Sequence, residues 1–323
     1  MRRAENFFLA NMGSFTTFSP GDVRAALKEG MALLRGANVP SYTLAAELLL
    51  MHALGRDRTW LYTHPEDLLD PAAAEKYFAL LARRAAGEPT QYLTGKQEFW
   101  GLEFEVTPAV LIPRPETEHI VAVALERLGP RGIRINLQTG APSPPLRIAD
   151  VGTGSGCLAV ALAHELPHAE IFAIDISAQA LAVAKRNAAR YGVADRIHFL
   201  ESDLLAAILH DSQITNHESR LFDLIVSNPP YIGRNDANLL PREVRDHEPN
   251  VALFPGPKGV EIYARLIGQA RSLLHSGGIL VLELGHDSAN HVREIFATDS
   301  GWTKVSLTND LAGIPRVIAA ERF

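Results

Sequence analysis

The chain has 323 residues, enough for two domains with one large core, and a formal net charge of −6. That acidic balance argues against a nucleic-acid binder relying on nonspecific phosphate contacts. Its single cysteine, Cys157, excludes an intrachain disulfide and supplies no metal-binding cluster. No apolar run reaches the roughly 18 residues of a membrane span. Residues 1–19 hold Arg2, Arg3 and the apolar Phe7-Phe8-Leu9, broken up by Asn6, Asn11 and Gly13. That stretch is too short for a secretory leader, so a cytoplasmic location is expected.

Up to about residue 95 the pattern is helical. Ser19-Pro20-Gly21-Asp22 reads as a capped start with proline at the first helical position, leading a helix to residue 35. Ser41 opens a second helix with Leu44, Leu48, Leu49 and Leu50 on its apolar side and Gly55 at its end. Asp70-Pro71 opens a third, with Tyr77, Phe78, Leu80 and Leu81 apolar and Gly87 past the end. Residues 98–106 alternate around Gly101 and read as a hairpin. A helix over 115–128 and the Pro-rich stretch 141–145 follow, and strands and helices then alternate. Such alternation implies an α/β domain with a parallel sheet covered on both faces. The domains expected are a helical unit over 19–94, a hairpin linker over 95–114 and an α/β domain over 115–323.

Within the α/β part, Leu146-Arg147-Ile148-Ala149-Asp150-Val151 reads as a strand. Gly152-Thr153-Gly154-Ser155-Gly156 follows as a loop, and Cys157 opens a helix. Glycines let a cofactor approach the backbone, and a helix start leaves N–H groups free to donate. The next strand, 170–175, ends in Asp175, a carboxylate able to accept from ribose hydroxyls. A unit of this kind suits a dinucleotide or S-adenosylmethionine. The loop is G-x-G-x-G, not the G-x-G-x-x-G that seats a pyrophosphate. A third acid, Asp203, follows a strand at 196–200, where it or Leu204 could flank an adenine. Both points favour the methyl donor.

The apolar strand 222–227 is cut off by Asn228-Pro229-Pro230-Tyr231, because two prolines cannot continue a ladder. In an open α/β sheet a ligand lies beyond the carboxyl ends of the strands, so Asn228 would project into a site. An amide or aromatic amino nitrogen is a poor nucleophile because its lone pair is delocalised. The Asn228 side-chain carbonyl and the Pro229 backbone carbonyl together could accept both protons of a substrate NH2 and aim that lone pair. On its own the tetrad is also compatible with a simple turn. Later strands fall near 278–284, 304–307 and 316–321. The last two are close enough for a hairpin, so one strand is expected to run antiparallel.

With these motifs in sequence order the chain resembles the release-factor glutamine methyltransferases over roughly residues 20–323. Beyond the loop and the tetrad, the resemblance rests on Gly87-Glu88-Pro89-Thr90-Gln91-Tyr92-Leu93-Thr94-Gly95 and Glu98-Phe99-Trp100-Gly101. It also rests on Val110-Leu111-Ile112-Pro113-Arg114-Pro115-Glu116-Thr117-Glu118. The resemblance implies a Rossmann-like class I methyltransferase sheet, a small N-terminal helical domain and a linking β-hairpin. It implies S-adenosylmethionine as cofactor and class I peptide-chain release factors as protein substrate, methylated at the N5 amide nitrogen of the glutamine in a Gly-Gly-Gln motif. Carried over by position, Gly152, Thr153, Gly154, Ser155, Gly156, Asp175, Asp203, Leu204 and Asn228 are cofactor contacts. Asn228, Pro229, Pro230 and Tyr231 form the glutamine clamp. At the position after the third acid, where the family commonly has an aromatic, this chain has Leu204. The stretches 129–145 and 211–220 are longer than the resemblance leads one to expect.

Other polar residues carry two readings. Arg114 and Glu116 either cap a helix, where acids favour the dipole, or stand at the rim of a substrate channel. Glu243, Glu248 and Pro249 lie in a long loop that suits a lid or an ordinary surface. His247 is a weak candidate for a base, and His286 reads as structural. Cys157 reads as a small apolar residue packing its helix on the sheet. A different enzyme class, an adenine-N6 or cytosine-N4 amino-methyltransferase, presents the same NH2 to the tetrad, but it must also flip a base and hold phosphates. The acidic balance gives that alternative little support, and no direct nucleic-acid binding is expected. A cofactor-binding module without catalysis is the third reading.

Overall fold

The computed structural model describes residues 21–129, 144–210 and 221–323. The Ser19-Pro20 position, the Pro-rich stretch before residue 144 and the polar stretch 211–220 lie outside the described residues. The chain divides into two units, one ending at Thr94 and the other beginning at Gly95.

The first unit is helical because its apolar residues recur at helical spacing between good caps. Asp22 caps the helix Val23–Gly36, its carboxylate accepting from Ala25 N at 2.7 Å. Asp70 caps Pro71–Ala85, accepting from Ala72 N and Ala73 N, with Pro71 in the first turn where its missing N–H costs nothing. The helix Tyr42–Leu54 ends at Gly55 in the left-handed region, as the sequence indicates. Its start differs from expectation: Ser41 sits at the cap with φ 50° and makes no side-chain cap bond. Leu44, placed on the apolar side by spacing, is exposed. Two short helices, Arg58–Thr63 and Thr90–Thr94, go unannounced because one or two turns give no periodicity to read. The core gathers Leu34, Leu49, Leu50, Leu61, Tyr77 and Leu81.

In the second unit, β1 (Lys96–Phe99) and β2 (Leu102–Glu105) form an antiparallel hairpin. Its two loop residues, Trp100 and Gly101, both have positive φ, the signature of the turn whose twist matches paired strands. Trp100 tolerates that strain because its backbone N–H donates to Glu118 Oε1 at 2.8 Å and its indole N–H to Glu165 Oε1 at 2.9 Å. A tight turn, Pro115–Thr117, then leads into the helix Glu118–Leu128.

Seven strands follow: β3 (Arg147–Val151), β4 (Glu170–Asp175), β5 (Ile197–Glu201), β6 (Phe222–Ser227), β7 (Leu274–Glu283), β8 (Trp302–Asn309) and β9 (Pro315–Arg322). They make one sheet in the order β5-β4-β3-β6-β7-β9-β8. The β4–β5, β3–β4, β3–β6 and β6–β7 pairs are parallel, and β9 is antiparallel to both its neighbours. β7 starts at Leu274, earlier than the apolar run suggests, and its ladder with β6 is irregular between Phe222 and Leu224. Successive residues point to opposite faces. Ile148, Leu224, Val226 and Val281 pack under Glu118–Leu128 and Cys157–Glu165, while Ala149, Ile225, Leu280 and Leu282 pack with Tyr263, Leu266 and Phe296. The chain winds outward from β3 to β5 and returns to β6 on the other side of β3. That reversal leaves a crevice at the carboxyl ends of β3 and β6.

Gly30 in the first unit offers a test of packing. Alanine is worth up to about 1 kcal/mol over glycine in a helix. A Cβ here, however, would lie 2.0 Å from Tyr77 Oη, and Tyr77 is fully buried with no room to swing. Overpacking costs about 1–3 kcal/mol, so Gly30→Ala should be net destabilising in urea titration. A stabilised variant would show that the helices can part without penalty.

Candidate active site

The glycine loop begins where β3 ends. Gly152, Gly154 and Gly156 have φ of 76°, 55° and 80°, a conformation that side chains rarely adopt. Gly152 N and Thr153 N both donate to Ile174 O, and Gly154 N donates to Asp175 Oδ2 at 2.9 Å. Gly156 is required for a second reason, since a Cβ there would lie 3.0 Å from the Cβ of Ala184. At Gly152 and Gly154 nothing comes within 3.7 Å of an added Cβ — the nearest atoms are at 3.8 and 4.0 Å — so the loop presents open backbone. Thr153 and Ser155 are buried beneath it.

Three acids stand in or just after β3, β4 and β5, each in a different state. Asp150 is fully buried; its Oδ2 accepts from the Thr153 hydroxyl at 2.6 Å and from Ala159 N at 3.1 Å, while Oδ1 has no partner. Burial pushes its carboxyl up to about 7, against those two hydrogen bonds. Asp175, at the end of β4, accepts from Gly154 N and Ser177 N, so it shapes the loop directly. Burial raises its pKa as well. Asp203 is half-exposed and paired with Arg265 at 2.6 Å. Beside it Leu204 is buried with φ 53°, a strained conformation for leucine that its spacing in the sequence does not announce. Cys157 is buried in the helix behind the loop, and burial pushes its thiol up to about 12.

The Asn-Pro-Pro-Tyr tetrad stands at the end of β6, next to the loop. The Ser227 hydroxyl donates to Val151 O at 2.6 Å and ties the two strand ends together. Asn228 Nδ2 is 2.9 Å from Thr117 Oγ1. The Tyr231 ring lies so close to Gly285 that a Cβ there would be 3.0 Å from its Cδ2, and its hydroxyl donates to Glu283 Oε1 at 3.3 Å. Glu283 ends β7; it is buried, its Oε2 has no hydrogen-bond partner, and burial pushes its carboxyl up to about 7.

Asn228, Pro229 and Tyr231 line a cleft of about 300 Å³ together with Arg114, Glu116 and Arg316, among others. Pro230 is not in the lining. Arg114 is ion-paired with the buried Glu248, whose Oε2 also accepts from Ile112 N. Glu248, one of the lid candidates, thus holds the long loop against the Arg-Pro-Glu segment. Arg316 is paired with Asp310 at 2.8 Å. His247 is outside the lining, and His286 is on the surface beside Asp287. Thr117, Glu283 and Arg316 were not singled out by sequence reasoning. Glu283 carries a readable signal, a carboxylate closing an apolar strand just as Asp175 does.

This strand order, with an antiparallel β9 beside β7, places the second unit in the methyltransferase class of Rossmann-like folds. Two family descriptions match the sequence, "PrmC N-terminal domain" over residues 25–95 and "Methyltransferase small domain" over residues 135–240. A release factor glutamine methyltransferase of Koribacter versatilis is 43% identical over 300 residues, covering 93% of this chain and 98% of that protein. Those of Nitratidesulfovibrio vulgaris and Chlorobaculum tepidum are 39% and 42% identical, covering 94% and 90% of this chain and 96% and 94% of theirs. The chain belongs to the release factor glutamine methyltransferase family. Among solved structures, the hMettl16 catalytic domain in complex with MAT2A 3′UTR hairpin 1 shares the fold. It has a TM-score of 0.53 and 18% identity, covering 76% of this chain and 80% of that one. No helix among the described residues is long and apolar enough to cross a membrane.

The buried acids make stability depend on pH. A carboxyl raised from its ordinary 3.8 to about 7, as at Asp150, binds more protons folded than unfolded between those values. Its contribution to stability therefore falls as pH rises through that window. Asp150→Asn removes the term. Thermal melts of wild type and variant should diverge in the variant's favour between about pH 4 and pH 7. A difference that stays constant would place Asp150 in a less costly environment.

Proposed function

We propose that the protein transfers the methyl group of S-adenosylmethionine to the N5 side-chain amide nitrogen of the glutamine in the Gly-Gly-Gln motif of class I release factors. The observation that carries this reading is the position of Asn228 and Pro229: in the lining of a cleft, beside an open glycine loop, in a chain of this family. The loop fits the cofactor. Gly152 and Gly154 leave space where side chains would intrude, and the buried Asp150 Oδ1 has no protein partner. Backbone at Gly152, Thr153, Gly154, Ser155 and Gly156 would hold it. Each Asp175 oxygen accepts one backbone N–H and retains a lone pair for a ribose hydroxyl. Asp203 and Leu204 would flank the adenine. When bound, S-adenosylmethionine supplies an electrophilic methyl group on a sulfonium.

The chain's own residues do the rest by orientation. The Asn228 Oδ1 and the Pro229 carbonyl accept the two N–H bonds of the substrate amide and aim its lone pair at the methyl group. Pro229 carries no N–H to compete for these acceptors. Tyr231 forms the cleft wall, and Arg114 and Glu116 form its rim. Alkylation acidifies the amide N–H, so the proton leaves afterwards and no strong base is needed. Positioning and desolvation supply most of the rate.

A tritiated-methyl assay tests this. Label should appear on a class I release factor and disappear when the Gly-Gly-Gln glutamine is replaced. Asn228→Ala should stay folded, with stability little changed, and lose about 10²–10³-fold in kcat, the range for one oriented polar group at a reacting centre. Label on DNA or RNA instead would transfer the clamp to a nucleobase amine.

The helical unit ending at Thr94 is proposed to dock a second surface of the release factor, raising the effective concentration of the glutamine loop at the cleft. Its match to the PrmC N-terminal domain supports a role kept within the family. Removing residues 1–94 should leave cofactor binding intact and lower kcat/KM on the full-length release factor. A folded truncation with unchanged kcat/KM would exclude docking.

A further inference from the structure

We propose that Glu116 is a specificity-determining residue that reads the main chain of the substrate, accepting the backbone N–H groups of the glycine step before the glutamine. The inference rests on the methyl-transfer reading above. Glu116 lies in the tight turn Pro115–Thr117 and lines the cleft together with Asn228. Its neighbour Thr117 is bonded to Asn228, Oγ1 to Nδ2 at 2.9 Å, so the turn and the clamp are held in one register. The side chain of glutamine is short. With its NH2 at Asn228 and Pro229, its own main chain stays near this turn.

The charges in the lining single out Glu116. Arg114 is ion-paired with the buried Glu248, and Arg316 with Asp310 at 2.8 Å. Glu116 feels Arg316 electrostatically, yet among the described residues its carboxylate has no hydrogen bond or ion pair. The acceptors in the lining lead to the same residue. A peptide segment entering the cleft gives up water, and each buried N–H then needs an acceptor. Leu111, Ile232, Leu240, Val244 and Leu253 offer no side-chain acceptor, and arginines only donate. Asn228 Oδ1 and the Pro229 carbonyl are taken by the substrate amide, and the Tyr231 hydroxyl is turned to Glu283 at 3.3 Å. The Glu116 carboxylate is left for the main chain. Consecutive N–H groups converge on one anion when the backbone alternates between right- and left-handed conformations. Glycine enters the left-handed one without strain. A Gly-Gly step ahead of the glutamine therefore suits a carboxylate at this place, and the acid selects for glycine through the backbone.

The test uses the full chain and a peptide spanning the Gly-Gly-Gln loop. Two further peptides each carry an ester in place of one amide, removing the N–H of the second glycine or of the glutamine. Glu116→Ala should lower kcat/KM on the parent peptide about 10- to 100-fold, mostly through KM, the range for a hydrogen bond to a charged group. Affinity for S-adenosylmethionine should stay within about twofold of wild type, which reports that the variant is folded. Glu116→Gln keeps an acceptor oxygen and should recover part of the loss. With wild type at least one ester peptide should lose a similar factor, and that loss should largely vanish with Glu116→Ala. A Glu116→Ala enzyme with wild-type kcat/KM overturns the proposal. So do ester penalties of equal size in wild type and Glu116→Ala, and a Glu116→Gln enzyme as slow as Glu116→Ala. Calorimetric binding of the three peptides without cofactor gives a readout that needs no turnover. Wild type that binds them in this Glu116-dependent pattern but methylates neither peptide nor release factor would count against the methyl-transfer reading and leave the main-chain subsite supported.

Discussion

The parallel ladder between β3 and β6 joins two stretches of chain whose ends, Val151 and Ser227, are 76 residues apart and linked by a 2.6 Å hydrogen bond. Both strands run in the same direction, so both deliver their following loops to the same edge of the sheet. One loop is glycine-rich and open; the other is stopped by two prolines. Because the chain leaves β3 toward β4 and β6 toward β7, the connections diverge and the space between them stays free. Asp175, Asn228 and Glu283 each stand at or just past the end of a strand in this sheet, which is why they share one neighbourhood.

Burial of acid is the thermodynamic cost of this arrangement. Asp150 and Glu283 are both raised to about 7 chiefly by desolvation, and each keeps one oxygen without a hydrogen-bond partner. A core built only for stability would use apolar residues at both positions. Their partners explain what they organise. Asp150 holds Thr153 and the first turn of the helix after the loop, and Glu283 holds Tyr231. Local strain at Leu204 and Trp100 belongs to the same pattern of order imposed by neighbours.

Much of the fold was legible because strand and helix periods are strong where segments are long. The strands at 170–175 and 222–227 and the helix opened by Cys157 stand where the residues indicate. The glycine loop and the tetrad could be read as a pair because each motif is local. What could not be read depends on distance along the chain. Thr117 appears inside a recognisable motif, but its partner Asn228 is 111 residues away, and only the fold makes them neighbours. The same holds for Arg114 and Glu248, 134 residues apart. Leu44 shows the opposite failure: spacing assigned it to an apolar face that the packing of its neighbours left in solvent.

The ion pair between Arg114 and Glu248 gives the cleft wall a particular mechanical character. Glu248 is buried while Arg114 reaches the cleft, so the pair runs from a dry site to the rim, and the carboxylate depends on that one guanidinium for its counter-charge. One edge of the cleft is thereby pinned by charge across 134 positions of sequence, and not by packing alone.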